Sequence, residues 1–298
     1  MRNLKRALSL ALASVMVMGL MVVGSGASYV DVSSKNNVEA IEVLQAVGIM
    51  TGDENGKFNP DAKVTRNEMA VIMCNLLDYT VASYKGTAPF TDVPAWAEPY
   101  VAACYTNSII AGYSATTFGG NDGVTTAQAA LMLLKALGYF QYQNDFGEDW
   151  IVSTISQGSK ADLFDGVDTG ATATLTRNDV AQMVLNALEA DVVDATGGGG
   201  VTVEGDGFTV STGKAVYESR TSSATKYAKI DATKTSDGKN IIQLGEDLYN
   251  GDLEKKAGNG DDFGRPANTW KYKSDEIGTY SDEADYTYAN KVTKGTLY

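Results

Sequence analysis

Shifted by 60 residues, the chain falls onto itself. VEAIEVLQAVGIMTG at 38–52 overlays EPYVAACYTNSIIAG at 98–112, which puts Ile41 on Val101, Leu44 on Cys104, Ile49 on Ile109 and Gly52 on Gly112. The same shift lays VTRNEMAVIMCNLL at 64–77 on VTTAQAALMLLKAL at 124–137. A third copy is weaker. Ile155, Leu163 and Gly166 match Ile41, Ile49 and Gly52, and LTRNDVAQMVLNAL at 175–188 closes it after a loop three residues shorter. Repetition of this kind constrains the fold strongly. One short unit cannot bury its apolar face alone, so the copies must pack on one another.

Each copy predicts two helices. The first carries apolar residues such as Ala40, Val43, Leu44 and Val47 at i, i+3, i+4 and i+7 spacing. A glycine (Gly52, Gly112, Gly166) is read as its stop, and a polar loop such as DENGKFNPD follows. The second helix starts at a threonine and carries a core stripe: Met69, Ile72, Met73, Leu76 and Leu77, then Ala129, Met132, Leu133, Ala136 and Leu137, then Val180, Met183, Val184, Ala187 and Leu188. Thr65-x-x-Glu68, Thr125-x-x-Gln128 and Thr176-x-x-Asp179 have the spacing of a capping box, in which hydroxyl and carboxyl satisfy each other's backbone N–H groups. Glu68 and Asp179 therefore read as caps rather than catalytic acids.

No cap needs Arg66 or Arg177. A cation in the first turn opposes the helix dipole and costs about 0.3–1 kcal/mol. Copy two keeps the cap and the stripe but has Thr126 at that place. On sequence grounds the fold does not need the charge, and ligand binding is the better account of the arginines. A helix N-terminus with free N–H groups is itself an anion site, and a guanidinium beside it would pair with a carboxylate.

Taken together, the motifs resemble S-layer homology domains. The resemblance rests on FTDV (90–93) with its partner YVDV (29–32), Trp96 shortly after, the glycine-ended GI-x-x-G at 48–52, GKFNP (56–60) and TRNE (65–68), close to the family's TRAE. It covers roughly 28–195. It implies three tandem repeats in a pseudo-threefold helical module whose grooves bind an acidic, often pyruvylated, secondary cell-wall polysaccharide without doing chemistry on it. Under the resemblance Arg66 and Arg177 are the ligand arginines, and Thr126 leaves the groove that depends on copy two weak. Trp96 reads either as an apolar face for a sugar ring or as packing at a domain entry. Copy three is degenerate, with only Phe146 and Asp149 standing for the entry motif.

The remaining readings bound the function. The chain has no histidine, which excludes His triads, His acid–base catalysis and His metal ligation. Cys74 and Cys104 sit in apolar helical patterns and read as small core residues, with a disulfide left open because sequence does not give their separation. Residues 1–27 read as a secretory signal peptide, with Arg2, Lys5 and Arg6 before an apolar run and small residues after it; a retained membrane anchor is the rival reading. Cleavage would take the formal charge from −13 to −16, which disfavours nucleic acid and anionic membranes as partners. The loop DENGKFNPD departs from a calcium loop, with Lys57 at a ligand place and Gly56 one residue early, so no metal or other cofactor is expected; GNGDD (258–262) is an equally weak calcium hint.

The expected architecture is a mainly α N-terminal module followed by a small β-rich region. The copies span 28–82, 83–142 and 143–195, a Gly-rich linker 196–200, and the β-rich part 201–298. VTVEGDGFTV, KAVYESR, KYAKIDA, NIIQLG, TWKYK and ADYTYANKVT read as short strands, and 258–273 as a long loop with a returning strand. Glu204, Asp206, Glu246, Asp247, Asp261, Asp262, Asp275 and Glu276 fall at turn-like places and read as solvated acids. The chain stops at GTLY directly after a strand-like run, as a fragment of a longer surface protein would. The reading is a secreted, cell-wall-anchored, non-enzymatic surface protein, with self-assembly into a surface lattice as an open role. The rivals are an anchored extracellular hydrolase using paired carboxylates in or beyond 201–298 and a calcium-dependent adhesion module.

Overall fold

A computed structural model describes residues 29–196, 200–204, 207–211, 215–260 and 264–281, with the backbone alone over 200–204 and 207–211. The signal-peptide segment, the run ADYTYANKVT and the acids Asp206, Asp261 and Asp262 lie outside the described residues. Each copy supplies two helices, α1 Val38–Ala46 and α2 Arg66–Leu76, then α3 Glu98–Thr106 and α4 Thr126–Leu137, then α5 Trp150–Lys160 and α6 Arg177–Glu189, and they pair across copies: α2 packs on α3, α4 on α5 and α6 on α1. Among the described residues no helix is long and apolar enough to cross a membrane.

The pairs close into a ring at their centre. The residues leading into α2, α4 and α6 are extended and bonded in a cycle: Val64 N–H donates to Leu175 O (3.1 Å), Val124 N–H to Val64 O (2.8 Å), and Leu175 N–H to Val124 O (3.0 Å). All three side chains are buried. No copy completes this cycle alone, which is the physical reason the repeat must associate.

Each first helix ends sooner than the glycine reading supposed. The left-handed residues that stop them are Gly48, Ser108 and Asp162. In each, the next N–H returns to the last helical turn, with Ile49 to Leu44 O (2.9 Å), Ile109 to Cys104 O (2.9 Å) and Leu163 to Gly158 O (3.0 Å), a Schellman closure. Gly52 and Gly112 have another job, because a Cβ on Gly112 would lie 2.4 Å from the Phe90 ring and 2.6 Å from Thr117 O. The core stripes of α2, α4 and α6 are buried as expected, with Leu77 and Ala136 only half-buried. Copy three's first helix is thinner: on α5 only Thr154 and Gly158 are buried.

The β-rich part begins before the expected linker. β1 Val193–Thr196 pairs antiparallel with β4 Val216–Ser219, β2 Gly200–Glu204 with β3 Gly207–Ser211, and β5 Thr221–Ser222 with β6 Asn240–Ile241. β7 Leu253–Asn259, β8 Pro266–Tyr272 and β9 Asp275–Ser281 form an antiparallel meander. Residues 226–232 are turn and bends rather than the expected strand. The segment 258–273 returns as the strand β8, as expected, but its first two residues already belong to β7, so the loop is shorter than the reading supposed.

A short helix, α7 Leu244–Tyr249, also interrupts the region. It carries Glu246, which is fully buried rather than a solvated turn acid. Its Oε1 accepts the N–H groups of Ala228, Lys229 and Ile230, so the carboxylate folds the 226–232 turn around itself. Asp247 is paired with Arg220 at 3.1 Å.

The region docks on the helical ring. Trp270 is buried against α1, donating Nε1–H to Glu39 Oε1 (2.6 Å), and Tyr280 donates its hydroxyl to Glu42 Oε2 (2.6 Å). Ile230, Leu244, Leu253 and Trp270 share one hydrophobic cluster with the helix stripes.

Candidate functional site

The four N-terminal N–H groups of each second helix are spoken for. At α2 the Thr65 N–H is taken by Glu68 Oε2 (2.8 Å) and the Glu68 N–H by Thr65 Oγ1 (3.2 Å). The Arg66 N–H donates to Asp122 O (2.9 Å) and the Asn67 N–H to Gly120 O (2.9 Å), both in the loop of the next copy. The pattern repeats at α4 with Ala173 O and Ala171 O, and at α6 with Ala62 O and Pro60 O. The predicted caps at Thr65, Glu68, Thr125, Gln128, Thr176 and Asp179 are formed as capping boxes. A neighbour's loop carbonyls therefore occupy the anion site expected at the helix ends.

The arginine side chains follow the same route into the neighbour. Arg66, 4% exposed, donates Nε–H to Phe118 O (3.2 Å) and Nη2–H to Ala111 O (2.9 Å). Its guanidinium lies 4.5 Å from the Phe118 ring centre and 4.6 Å from that of Tyr113. Arg177 repeats this in the loop of copy one, with Phe58 O (2.7 Å), Thr51 O (2.9 Å) and the Phe58 ring at 4.6 Å.

The entry motifs hold the socket. Asp31 accepts the N–H groups of Phe58 and Asn59, and Asp92 those of Phe118 and Gly119, all at 2.8 Å. The run from entry aspartate to loop aromatic to neighbouring arginine is one stitch between copies. The inference that the fold is indifferent to the arginine fails for this reason.

Thr126 does not contradict that role, because it faces a different loop. It points into the shortened loop of copy three, where its hydroxyl meets Thr169 Oγ1 (2.9 Å). That loop, GVDTGATAT, has no aromatic residue, and Asp149 is spent capping α5 through the Ile151 and Val152 N–H groups. An arginine at 126 would find neither ring nor clamp.

Beside Arg66 lies a cavity of about 330 Å³. It is bounded by the 109–113 loop, by Gln128, Leu131, Met132 and Lys135 on α4, and by Phe146 and Trp150 from copy three. Two cations border it and none of its described lining residues is acidic. Lys135 Nζ donates to Ser108 O (2.7 Å), and burial lowers the pKa of both Lys135 and Arg66 from their ordinary values. Trp150, 38% exposed, offers an indole at the rim.

Trp96 is 44% exposed and does not line this cavity. Sequence reasoning missed Lys135, Trp150 and Tyr113. A signal existed for Trp150, which stands five residues ahead of Ile155 as Trp96 stands ahead of Val101. Lys135 follows Gln128 by two helical turns on the same face.

The surroundings of Arg177 are electrically different. The place of Gln128 is taken there by Glu68, whose charge is the largest attraction on Arg177, against a burial that lowers its pKa. The place of Lys135 is taken by Asn75, which donates to Ile49 O (3.1 Å). At these two equivalent positions Arg177 meets a carboxylate and a neutral amide, where Arg66 meets a neutral amide and a lysine.

The loop DENGKFNPD is closed on itself, since Asp53 accepts the Asn55 and Lys57 N–H groups and the Asn59 amide. Among the described residues there is no cluster of three metal-binding side chains.

Residues 28–70 and 89–130 match the family model of the S-layer homology domain. The chain is 32% identical over 174 residues to the Surface-layer 125 kDa protein of Lysinibacillus sphaericus, an overlap of 53% of this chain and 14% of that protein. It is 27% identical over 202 residues to the Cell surface protein of Thermoanaerobacter kivui, covering 65% and 26%. It is 33% identical over 119 residues to an endoglucanase of Bacillus sp. (strain KSM-635), covering 37% and 13%. Each overlap therefore spans about a quarter or less of the relative's length.

Proposed function

We propose, from the two S-layer homology segments and the Arg66 cavity, that this is a secreted surface protein held non-covalently to the bacterial cell wall. The ligand is an acidic secondary wall polysaccharide bearing a carboxylate such as a pyruvyl group. The observation that carries the reading is a sugar-sized cavity with two cations, an exposed indole and no acid among its described lining residues. Its carboxylate would bind between Lys135 and the edge of Arg66 that lines the cavity, offsetting the burial of both charges. Trp150 would carry the apolar face of a sugar ring. Copy three is a degenerate repeat of the same family that contributes this rim. The Arg177 site, with Glu68 beside it, is the weaker partner for an anion.

The protein needs no catalytic group for this role. Similarity to both surface proteins and an endoglucanase supports an anchor that serves different attached functions. The test is cosedimentation of the chain with purified wall sacculi carrying their secondary polymer. Lys135→Ala and Trp150→Ala are expected to weaken binding at least tenfold with an unchanged circular dichroism spectrum, and Trp96→Ala to bind as the parent does. Parent-like binding by both Lys135→Ala and Trp150→Ala, singly and together, would overturn the assignment.

A further inference from the structure

Cys74 on α2 and Cys104 on α3 face each other across the contact between the first and second copies. Their sulfurs are 3.5 Å apart and both residues are buried. Each sulfur also lies against the other helix's backbone, Cys74 Sγ at 3.4 Å from Tyr100 O and Cys104 Sγ at 3.5 Å from Ala70 O. The two sulfurs are therefore in contact across the seam between α2 and α3. Two thiols this close in a secreted chain meet the proximity and compartment conditions for a bond.

We propose that Cys74 and Cys104 close into a structural disulfide during export, joining the first copy to the second. The two thiols lose two protons and two electrons as the sulfur–sulfur bond forms. The acceptor is the disulfide of an extracytoplasmic thiol oxidoreductase, which is released as its dithiol by exchange. Closure takes place before packing is complete. Once folded, Cys104 is sealed from an oxidant, and its thiol is pushed well up by the Cys74 hydrogen bond and by burial, so the attacking thiolate is suppressed. The bond ties α2, which begins at Arg66, to α3, which leads into the 109–113 loop that Arg66 grips. It stands independently of what the Arg66 cavity binds.

The test uses the full exported chain, denatured in iodoacetamide without reductant and weighed intact. The expected result is no alkylation, with two alkylations appearing only after reduction. Trypsin without reduction should yield residues 67–85 linked to 86–135, since no Lys or Arg falls between those limits. Reductant should lower Tm by roughly 5–15 °C, from the loop-closure constraint on the unfolded chain. A Cys74→Ser, Cys104→Ser chain should melt at the reduced parent's temperature with or without reductant. Two alkylations before reduction, or a dimer band that reductant removes, would overturn the proposal.

Discussion

Replacing Arg66 with alanine separates its two roles, stitch and ligand contact. The side chain gives two charge-assisted hydrogen bonds, to Phe118 O and Ala111 O, and covers two rings. Bonds to a charged donor contribute about 1.5–3 kcal/mol each. Part of that is returned, because the alanine chain no longer buries a guanidinium and water can reach Ala111 O through the cavity. A net loss of about 2–4 kcal/mol remains, or roughly 5–15 °C in Tm at this size.

The assay is thermal unfolding by circular dichroism, with Arg177→Ala and Arg66→Lys alongside. Arg177 has one ring contact rather than two, so its loss should be smaller. Lysine keeps the charge but loses the planar two-carbonyl grip, and should fall between parent and alanine. If Arg66→Ala melts within about 1 °C of the parent, the stitch between copies is not where the stability lies, and the reasoning fails.

Two further outcomes follow from the packing. Gly112→Ala should destabilise by about 1–3 kcal/mol, since its Cβ would press on the Phe90 ring and on two backbone oxygens that cannot swing aside; a melt unchanged from the parent would refute the close-approach account. Glu39 is half-buried under Trp270, and that desolvation raises its pKa above the ordinary carboxylate value. A raised acid favours the fold below its unfolded pKa of about 4.3 and loses that contribution as pH rises through the folded value. Since glutamine cannot titrate, the Tm of Glu39→Gln minus that of the parent should be largest near pH 7 and shrink as pH falls toward 4; a gap that stays constant or widens on acidification would refute this.

Much of the helical part was legible in the chain because its signals are local. Core stripes need only the helical period, and a capping box needs two residues three apart, so both appear in the sequence of each copy. The β-rich part was less legible. KYAKIDA alternates like a strand, yet it wraps Glu246, a contact between 226–232 and α7 that no local pattern encodes. Arg66 shows the same limit from the functional side. Its position in TRNE marked it as unusual, but the sequence could not say that its partners are Phe118 O and Ala111 O in the next copy.

By itself the sequence determined that the copies repeat, where their second helices begin and which faces they bury, because those properties depend on residues within a few turns of each other. Only the tertiary structure decided which loop meets which helix. The ring through Val64, Val124 and Leu175 sends Arg66 to one loop, Arg177 to another and Thr126 to a third that has no aromatic residue. That assignment also brings Lys135 and Trp150 to Arg66 and leaves Glu68 beside Arg177. Equivalent positions in the repeat thus acquire unequal charge, since each is completed by side chains from a neighbour that the repeat period cannot specify.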